Sequence, residues 1–374
     1  MKEFDIEETF LDYFNDIEDP RNGKNKMYSA NEILFVSICA IICGAESWRD
    51  MVEFGILKLE FLKQYLPFVN GIPSKNTFCR FFAALKPGSF KTCFISWVRS
   101  LQILDNDIIA IDGKTIRHSF DSVNETSAIH MVSAFAAKSR LVLGQQKVDN
   151  KSNEITAIPK LLKLLDLRGS IVTIDAMGTQ KEIAKQIIDD GGDYILALKG
   201  NHSTLHDDVT DFLQDKDNLK YCKTFQESDC GHGRIELRKC QATEEVDWLG
   251  KLKFHGMKTI FCIESQRIIR ETETVERRYY ISSLRADPIK LNTATRDHWA
   301  VENCLHWTLD MTFNEDASRI RSKNAPENIA MIRHTVLNLL RQAKNKFKNS
   351  SLKGLRKKAG WDNSTLAVIL RQKF

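Results

Sequence analysis

Two short apolar segments, each ending in an aspartate, constrain the fold of this chain more than any other feature. The first is Ile-Ile-Ala-Ile-Asp112 and the second is Ile-Val-Thr-Ile-Asp175, which lies 63 positions later (175 − 112). Runs of four mostly β-branched residues are typical of buried strands. A strand that ends in Asp-Gly is also an ordinary turn signal, so one such aspartate alone indicates little. The repetition predicts two buried strands, each with an acid at its carboxyl end.

The segments around these aspartates predict a regular order of strands and helices. In chain order we expect strands at 108–111, 129–137 and 141–148, a helix at 158–165, a strand at 171–174, a helix at 181–188 and a strand at 194–198. This order, βββαβαβ, is that of a ribonuclease-H-like core. Because the first and fourth strands of such a core lie side by side, the two aspartates are expected to converge.

The rest of the chain flanks or interrupts this core. The sequence predicts helices at 4–14, 30–43 and 77–85, strands at 233–243, 258–266 and 277–283, and helices at 296–309, 328–344 and 365–370. We therefore expect an α/β protein with a ribonuclease-H-like mixed sheet. Its expected parts are an all-α N-terminal domain at 1–104, the sheet domain at 105–316 with a β-rich insertion at about 200–290, and a basic helical C-terminal segment at 317–374.

A third acid is expected from the helix that follows the insertion. His298, Glu302 and His306 are spaced four residues apart and so would share one helix face. Three converging carboxylates repel one another unless a cation neutralises them, and carboxylate oxygens suit Mg²⁺. Two alternatives stay open: Asp112 and Asp175 as simple turn or cap residues, and a His/Glu/His zinc site, whose spacing is unfamiliar for zinc.

The net charge of +5 conceals two oppositely charged ends. Residues 1–20 contain eight acids and one lysine, whereas residues 317–374 contain fourteen Lys and Arg against two acids. A basic C-terminal segment of this kind favours contact with a polyanion, although it is also compatible with a solvated surface. A helix-turn-helix DNA reader around Ser74, with Lys75 and Arg80 on its second helix, is the alternative to plain helical packing there.

Other features limit the compartment and the cofactors. The longest apolar stretch, 33–43, is too short to cross a bilayer, and acidic residues stand where a signal peptide would carry positive charge. We therefore expect a cytoplasmic protein without membrane contact. The nine cysteines contain no CxxC pair, so a cysteine zinc site has little support and they are expected to be reduced.

At the acidic residues the sequence resembles the DDE transposases of bacterial insertion sequences, in the branch of the H-repeat-associated proteins. The resemblance runs nearly end to end. It is carried by segments 13–21, 111–117, 151–159, 172–177, 197–201, 231–236 and 298–303, which include Ile-Asp112-Gly-Lys-Thr-Ile-Arg117, Lys-Ser-Asn-Glu154-Ile-Thr-Ala-Ile-Pro and His298-Trp-Ala-Val-Glu302-Asn.

The resemblance implies that Asp112, Asp175 and Glu302 are the catalytic, metal-binding acids of a transposase. It implies Mg²⁺, for which Mn²⁺ can substitute, and two-metal phosphodiester hydrolysis followed by transesterification. It also implies terminal inverted repeats and target DNA as double-stranded partners, a homodimer on paired ends and association with the nucleoid. The chain departs from the common family pattern at Thr295, His298 and Leu309, where relatives carry a tyrosine, an arginine and a lysine, so a hairpin intermediate is not implied.

DNA affinity is expected from basic residues and histidines near these acids and from the tail at 344–358. The residues expected to contact DNA are Lys114, Arg117, Lys199, His232, Arg234, Arg296, His298, Arg319 and Arg321. Several of them could equally serve only to solvate the surface. Two alternative functions remain: a metal-dependent nuclease that cuts without joining, and an inactive or domesticated DNA-binding protein, which would not need all three acids.

Overall fold

The computed structural model describes residues 12–21, 26–101, 107–120, 127–149, 152–231, 234–270 and 272–371. The expected helix at 4–14 therefore lies mostly outside the described residues, and 12–14 form a short 3-10 turn. Five helices precede the sheet: α1 Ala30–Ile42, α2 Trp48–Leu57, α3 Leu59–Leu62, α4 Lys75–Ala84 and α5 Pro87–Ser100. Ser29 caps α1 as expected, and Glu32 completes the capping box by accepting from the Ser29 backbone.

Nine strands form one mixed sheet in the order β3-β2-β1-β4-β5-β9-β8-β7-β6. The strands are β1 Ile108–Thr115, β2 His130–Ala136, β3 Leu141–Lys147, β4 Ile171–Ile174, β5 Asp193–Leu198, β6 Lys223–Gly231, β7 Arg234–Thr243, β8 Thr259–Ile269 and β9 Thr272–Ser282. β1 pairs antiparallel with β2 and parallel with β4, and β4 pairs parallel with β5. The first five strands therefore have the order expected of a ribonuclease-H-like core.

The insertion differs from the expectation. It contains a helix, α8 Ser203–Gln214, and four strands where three were expected, and β9 pairs antiparallel with β5. The insertion strands thus extend the core sheet instead of forming a separate layer. β6 was not expected because its nine residues are mostly polar and half-buried or exposed, so they lack the apolar alternation that predicts a strand.

Helices cover both faces of the sheet. The sheet-domain helices are α6 Glu154–Leu162, α7 Lys181–Asp189, α9 Pro288–His298 and α10 Trp307–Phe313, and the C-terminal ones are α11 Ala325–Ala343, α12 Leu352–Trp361 and α13 Asn363–Leu370. α6 and α7 pack against β2, β3 and β5, whereas α9 packs against β1, β4 and β7. Coverage on both faces explains why β4 is buried throughout.

The C-terminal segment is integrated with the rest of the molecule. α11 packs against α1, α4, α5 and β3, and one apolar cluster runs from the N-terminal helices through the sheet to α13. The Asn338 amide both donates to the Val142 carbonyl and accepts from its N–H, each at 2.9 Å, and so closes the free edge of β3. No described helix has the length and apolar character that a membrane crossing requires.

Candidate active site

Asp112 and Asp175 lie at the same level of two adjacent parallel strands. Ile111 on β1 is in register with Ile174 on β4, and each aspartate is the next residue along its strand direction. The expectation that Asp112 ends its strand is wrong, because β1 continues to Thr115 through its pairing with β2. Burial nevertheless ends at Ile111, so Asp112 is the first residue of β1 to leave the apolar interior.

The turn after β4 fixes Asp175. Its Oδ1 accepts hydrogen bonds from the backbone N–H groups of Met177 at 3.1 Å and Gly178 at 3.3 Å. The Thr179 hydroxyl is shared between the backbone carbonyls of Asp175 and Ala197. This hydrogen bonding ties the turn to β5. The turn role that the sequence left open is therefore present, and it holds the carboxylate beside β1.

Glu302 lies in a π-helical segment, Val301–His306, between α9 and α10. The single α-helix expected at 296–309 is therefore wrong. The wider π turn is seen in the Trp307 N–H, which donates to the Glu302 carbonyl five residues earlier. Arg341 of α11 donates to the Cys304 carbonyl at 2.5 Å and so ties α11 to this segment. Single π turns inside helices occur often at functional sites.

The three acids line one cavity of about 290 Å³, together with Lys199 and His298. The cavity wall also contains Arg277, Arg278, Tyr279, Tyr280 and Trp299. Across the described ranges, however, no three His, Cys, Asp or Glu side chains are gathered closely enough to enclose a metal ion. The carboxylates therefore converge on a common opening without forming a closed site.

Burial and like charges shift the pKa values of groups that line the cavity. Burial, followed by the like charges of Glu154, Asp175 and Glu302, raises the pKa of Asp112 to about 7, against the opposing effect of a backbone hydrogen bond from Gly113. Burial also lowers the pKa of His298 to about 4. His298 is accordingly neutral at pH 7, and its Nδ1 lies 2.9 Å from the Thr173 hydroxyl.

Sequence reasoning missed Glu154 and His130, and it placed His306 only on the helix face of Glu302. His306 Nδ1 lies 3.4 Å from Asp112 Oδ2. Glu154 is hydrogen-bonded to His130, and after burial its like charge contributes most to raising the pKa of Asp112. Glu154 stands inside the family-like segment 151–159, which was the one available signal. Its distance in sequence from Asp112 concealed the contact.

The residues expected to bind DNA are dispersed around the site. Lys199 is exposed at the cavity, whereas Arg234 and Arg296 line a second cavity of about 680 Å³. Arg296 is paired with Glu227 and Asp229. His232 lies outside the described residues, so its expected contact remains a prediction.

A second group lies near the start of the C-terminal segment. Arg319 is exposed, and Arg117, 79% exposed, is 3.4 Å from Asp316. Arg321 donates to the His118 carbonyl and stacks on Phe120.

Lys114 is positioned differently from the other expected DNA contacts. Its ammonium group donates to Asp310 and, at 3.1 Å, to Glu315, and lies 3.5 Å from Asp316. The Lys114 side chain is only 12% exposed. Contact with a DNA phosphate would require Lys114 to give up these ion pairs, so the structure accounts for this lysine without DNA.

Comparison with known proteins places these residues in a family. Residues 11–98 match the family described as DDE_Tnp_1-associated, and residues 104–339 match the transposase DDE domain. The chain is 41% identical over 371 residues to the H repeat-associated putative transposase YhhI of Escherichia coli K12, covering 96% of this chain and 97% of the relative. It is 43% identical over 344 residues to the putative transposase YncI of Escherichia coli O157:H7, covering 90% and 88%.

The similarity to a solved structure is weaker than the similarity to these sequences. A structure described as a piggyBac transposase synaptic complex with hairpin DNA aligns with a TM-score of 0.47 at 10% identity, covering 96% of this chain and 75% of that one. The sequence matches span most of the chain and include the strands and the helical segment that carry the three acids. The chain therefore belongs to the DDE transposases, among the H-repeat-associated proteins.

Proposed function

We propose that this transposase cuts DNA at the ends of its own element and joins the released 3′ ends to target DNA. The observation that supports the proposal is the convergence of Asp112, Asp175 and Glu302 on one cavity, beside the carboxyl end of β4 and the point where the parallel strand β1 leaves the apolar interior. The crevice outside the carboxyl ends of parallel strands is where open α/β sheets bind their ligands. Membership of the DDE family supports the same reaction class.

The donor chemistry of the cavity fits a hard divalent cation. Asp112, Asp175 and Glu302 offer carboxylate oxygens, which are the ligands that Mg²⁺ and Mn²⁺ prefer. Burial, together with the like charges around it, raises the pKa of Asp112, and a cation would neutralise that negative charge. We therefore expect these three residues to hold Mg²⁺ or Mn²⁺, which would supply positive charge to the phosphate under attack and favour a hydroxyl nucleophile near neutral pH.

The residues of the chain then bind and orient the DNA. In the first step a water oxygen bonds to phosphorus while the P–O3′ bond breaks, which leaves a 3′ hydroxyl on the element. In the second step this hydroxyl bonds to a target phosphorus while a P–O3′ bond of the target breaks. Each step exchanges one P–O bond for another, so no covalent protein intermediate is required. Lys199, exposed at the cavity, is suited to hold a phosphate of the reacting strand.

The DNA is proposed to be double-stranded and to include both the terminal inverted repeats and the target, with two copies of the chain on paired ends. The exposed cations Arg117, Arg234 and Arg319, the half-buried Arg321 and the lysines of α12 are proposed to contact its phosphates. Their contribution is expected to weaken steeply with salt because phosphate binding releases counterions.

A strand-transfer assay tests the proposal against the alternatives. The purified chain is incubated with Mg²⁺, a supercoiled target and a labelled duplex that carries the inverted repeats flanking its gene. A transposase would cut at the repeat boundary and join the label to the target. Cutting without joining would favour a nuclease, and binding without cutting would favour an inactive DNA-binding protein; either result would overturn the proposal.

A further inference from the structure

Glu154 lies against β1, the strand that carries Asp112. It is the first residue of α6, and its side chain is 15% exposed. Its Oε1 lies 2.6 Å from Nε2 of His130, the first residue of β2. His130 Nδ1 is 2.8 Å from the hydroxyl of Thr115, its register partner at the end of β1. One tautomer of His130 satisfies both hydrogen bonds: the Thr115 hydroxyl donates to Nδ1, and Nε2–H donates to the Glu154 carboxylate.

This hydrogen-bonded pair lies directly on the backbone next to Asp112. A Cβ atom built on Gly113 would stand 2.1 Å from Glu154 Oε1 and 2.6 Å from His130 Nε2. Both distances are shorter than any real contact of a Cβ atom, so a side chain at residue 113 would displace the pair. The glycine at residue 113 therefore permits the close approach of Glu154 and His130 to β1.

Glu154 also brings negative charge close to Asp112. Its carboxylate lies against the backbone of Gly113, the residue next to Asp112. A further carboxylate this close to Asp112 costs free energy in the absence of a cation. An acid in the first turn of a helix is stabilising in its own right, but that benefit needs no contact with β1 or with His130.

We propose that Glu154 and His130 are positioning residues for Asp112, which hold β1 at Gly113 and add negative charge beside the carboxylates that receive the cation. The inference rests on the proposed function, because it assigns the pair to the same reaction. Neither residue is proposed to touch the DNA. Partners of this kind, one contact removed from the ligands of a metal, commonly change metal affinity or activity by about 10- to 100-fold when they are replaced.

Glu182 provides a matched control. It is the first-turn acid of α7, as Glu154 is of α6, but its side chain is exposed. Glu182→Gln removes the interaction of a carboxylate with the helix dipole and leaves the cavity unchanged. Glu154→Gln removes the same interaction and also the charge beside Asp112, so the difference between the two variants isolates the proposed role.

The experiment measures two quantities for the full chain and for both variants. One is the Mn²⁺ concentration that gives half of the maximal rise in melting temperature, and the other is the concentration that gives half-maximal cutting of the end duplex. We expect Glu154→Gln to raise both by about tenfold and Glu182→Gln to change neither. Equal behaviour of the two variants would overturn the inference while leaving the proposed function intact. A wild-type chain that shows neither Mn²⁺ stabilisation nor cutting would overturn both.

A double-mutant cycle tests the contact itself. Gly113→Ala is expected to raise the Mn²⁺ requirement about as much as Glu154→Ala, because the new methyl group displaces Glu154. The double variant should be no worse than the more affected single variant, since the displaced carboxylate is already absent. Fully additive effects would show that Gly113 and Glu154 act independently and would overturn the inference. If Gly113→Ala does not fold, the comparison of Glu154→Gln with Glu182→Gln decides.

Discussion

His306 Nδ1 lies 3.4 Å from Asp112 Oδ2, behind the carboxylate that Asp112 contributes to the candidate active site. Burial lowers the pKa of His306 to about 4, so the imidazole is neutral at pH 7. Its Nε2 is buried and, within the described residues, has no hydrogen-bond partner. A buried polar atom without a partner destabilises the fold, and such atoms are commonly tolerated where function needs them. We therefore expect His306 to orient Asp112 at some expense of stability.

Replacing His306 with leucine should separate these two effects. His306→Leu removes the unpartnered nitrogen and should leave stability unchanged or raise it by about 1 kcal/mol. Cutting should slow by about tenfold, because Asp112 loses a polar neighbour that orients it. His334 is the matched control: its Nδ1 is also buried without a partner among the described residues, but no contact joins it to a catalytic acid. Equal loss of cutting in His334→Leu would refute the specific role of His306.

Stability should fall as the pH drops below about 6.5. Burial lowers the pKa of His298, His306 and His334 to about 4 in the folded chain, whereas an unfolded histidine titrates near 6.5. Between these values the three histidines bind more protons in the unfolded chain, which outweighs the one proton that Asp112 holds in the folded chain. Acid therefore favours unfolding, and fully buried His334 contributes about 1.4 kcal/mol per pH unit. Urea unfolding at pH 7 and pH 5 measures the slope. His334→Leu should flatten it, and the exposed His255→Gln should not.

Lys114 and Lys199 should respond in opposite ways to replacement by methionine. Lys114→Met leaves Asp310, Glu315 and Asp316 without their shared cation. Buried Glu315 keeps only Arg333, at 3.5 Å, so the variant should lose about 3 kcal/mol of stability. Lys199→Met, at an exposed position, should change stability by less than about 0.5 kcal/mol but weaken DNA binding. Urea unfolding and DNA titrations on folded protein distinguish them. Normal stability of Lys114→Met together with weakened DNA binding would restore Lys114 as a phosphate contact.

The salt dependence of DNA binding should locate the basic surface on α12. Lys353 and Lys357 are exposed one helical turn apart, whereas Arg356 between them is buried and donates to the Ile41 carbonyl. The double variant Lys353→Gln, Lys357→Gln should lower the slope of log affinity against log salt by about 1 to 2. Lys63→Gln, an exposed lysine on the N-terminal helices, is the comparison. An unchanged slope in the α12 variant would remove this helix from the DNA interface.

The core strands could be predicted from the sequence because each contains a run of consecutive apolar residues. β4 occupies the four residues that were expected, Ile171–Ile174, and the parallel pairing of β1 with β4 brings Asp112 beside Asp175 as the order of elements implied. The sequence could not show that β1 continues through Asp112-Gly113, since that dipeptide reads as a turn. Pairing with β2 overrides this local preference.

Long-range contacts account for the rest of what could not be predicted. The π-helical turn at Glu302 has no signature in residue spacing, and its tie to Arg341 joins segments 37 positions apart. Glu154 lies near Asp112 only because β2 and β3 return the chain to the end of β1 that carries Asp112. From the sequence, Lys114 is expected to be a surface cation next to Asp112. In the fold, Asp310 and Glu315, from the end of α10 and just after it, lie against its ammonium group.

Cleavage of a labelled end duplex by Asp175→Asn tests the central claim most directly. Asparagine keeps the side-chain oxygen that accepts from Met177 and Gly178, so the turn is preserved while the negative charge is lost. With Mg²⁺, wild type and the exposed control Asp190→Asn should cut at the repeat boundary. Asp175→Asn should bind the duplex equally well and cut it at least about 10³-fold more slowly. Cutting by Asp175→Asn at the wild-type rate would contradict the assignment of these acids as the active site.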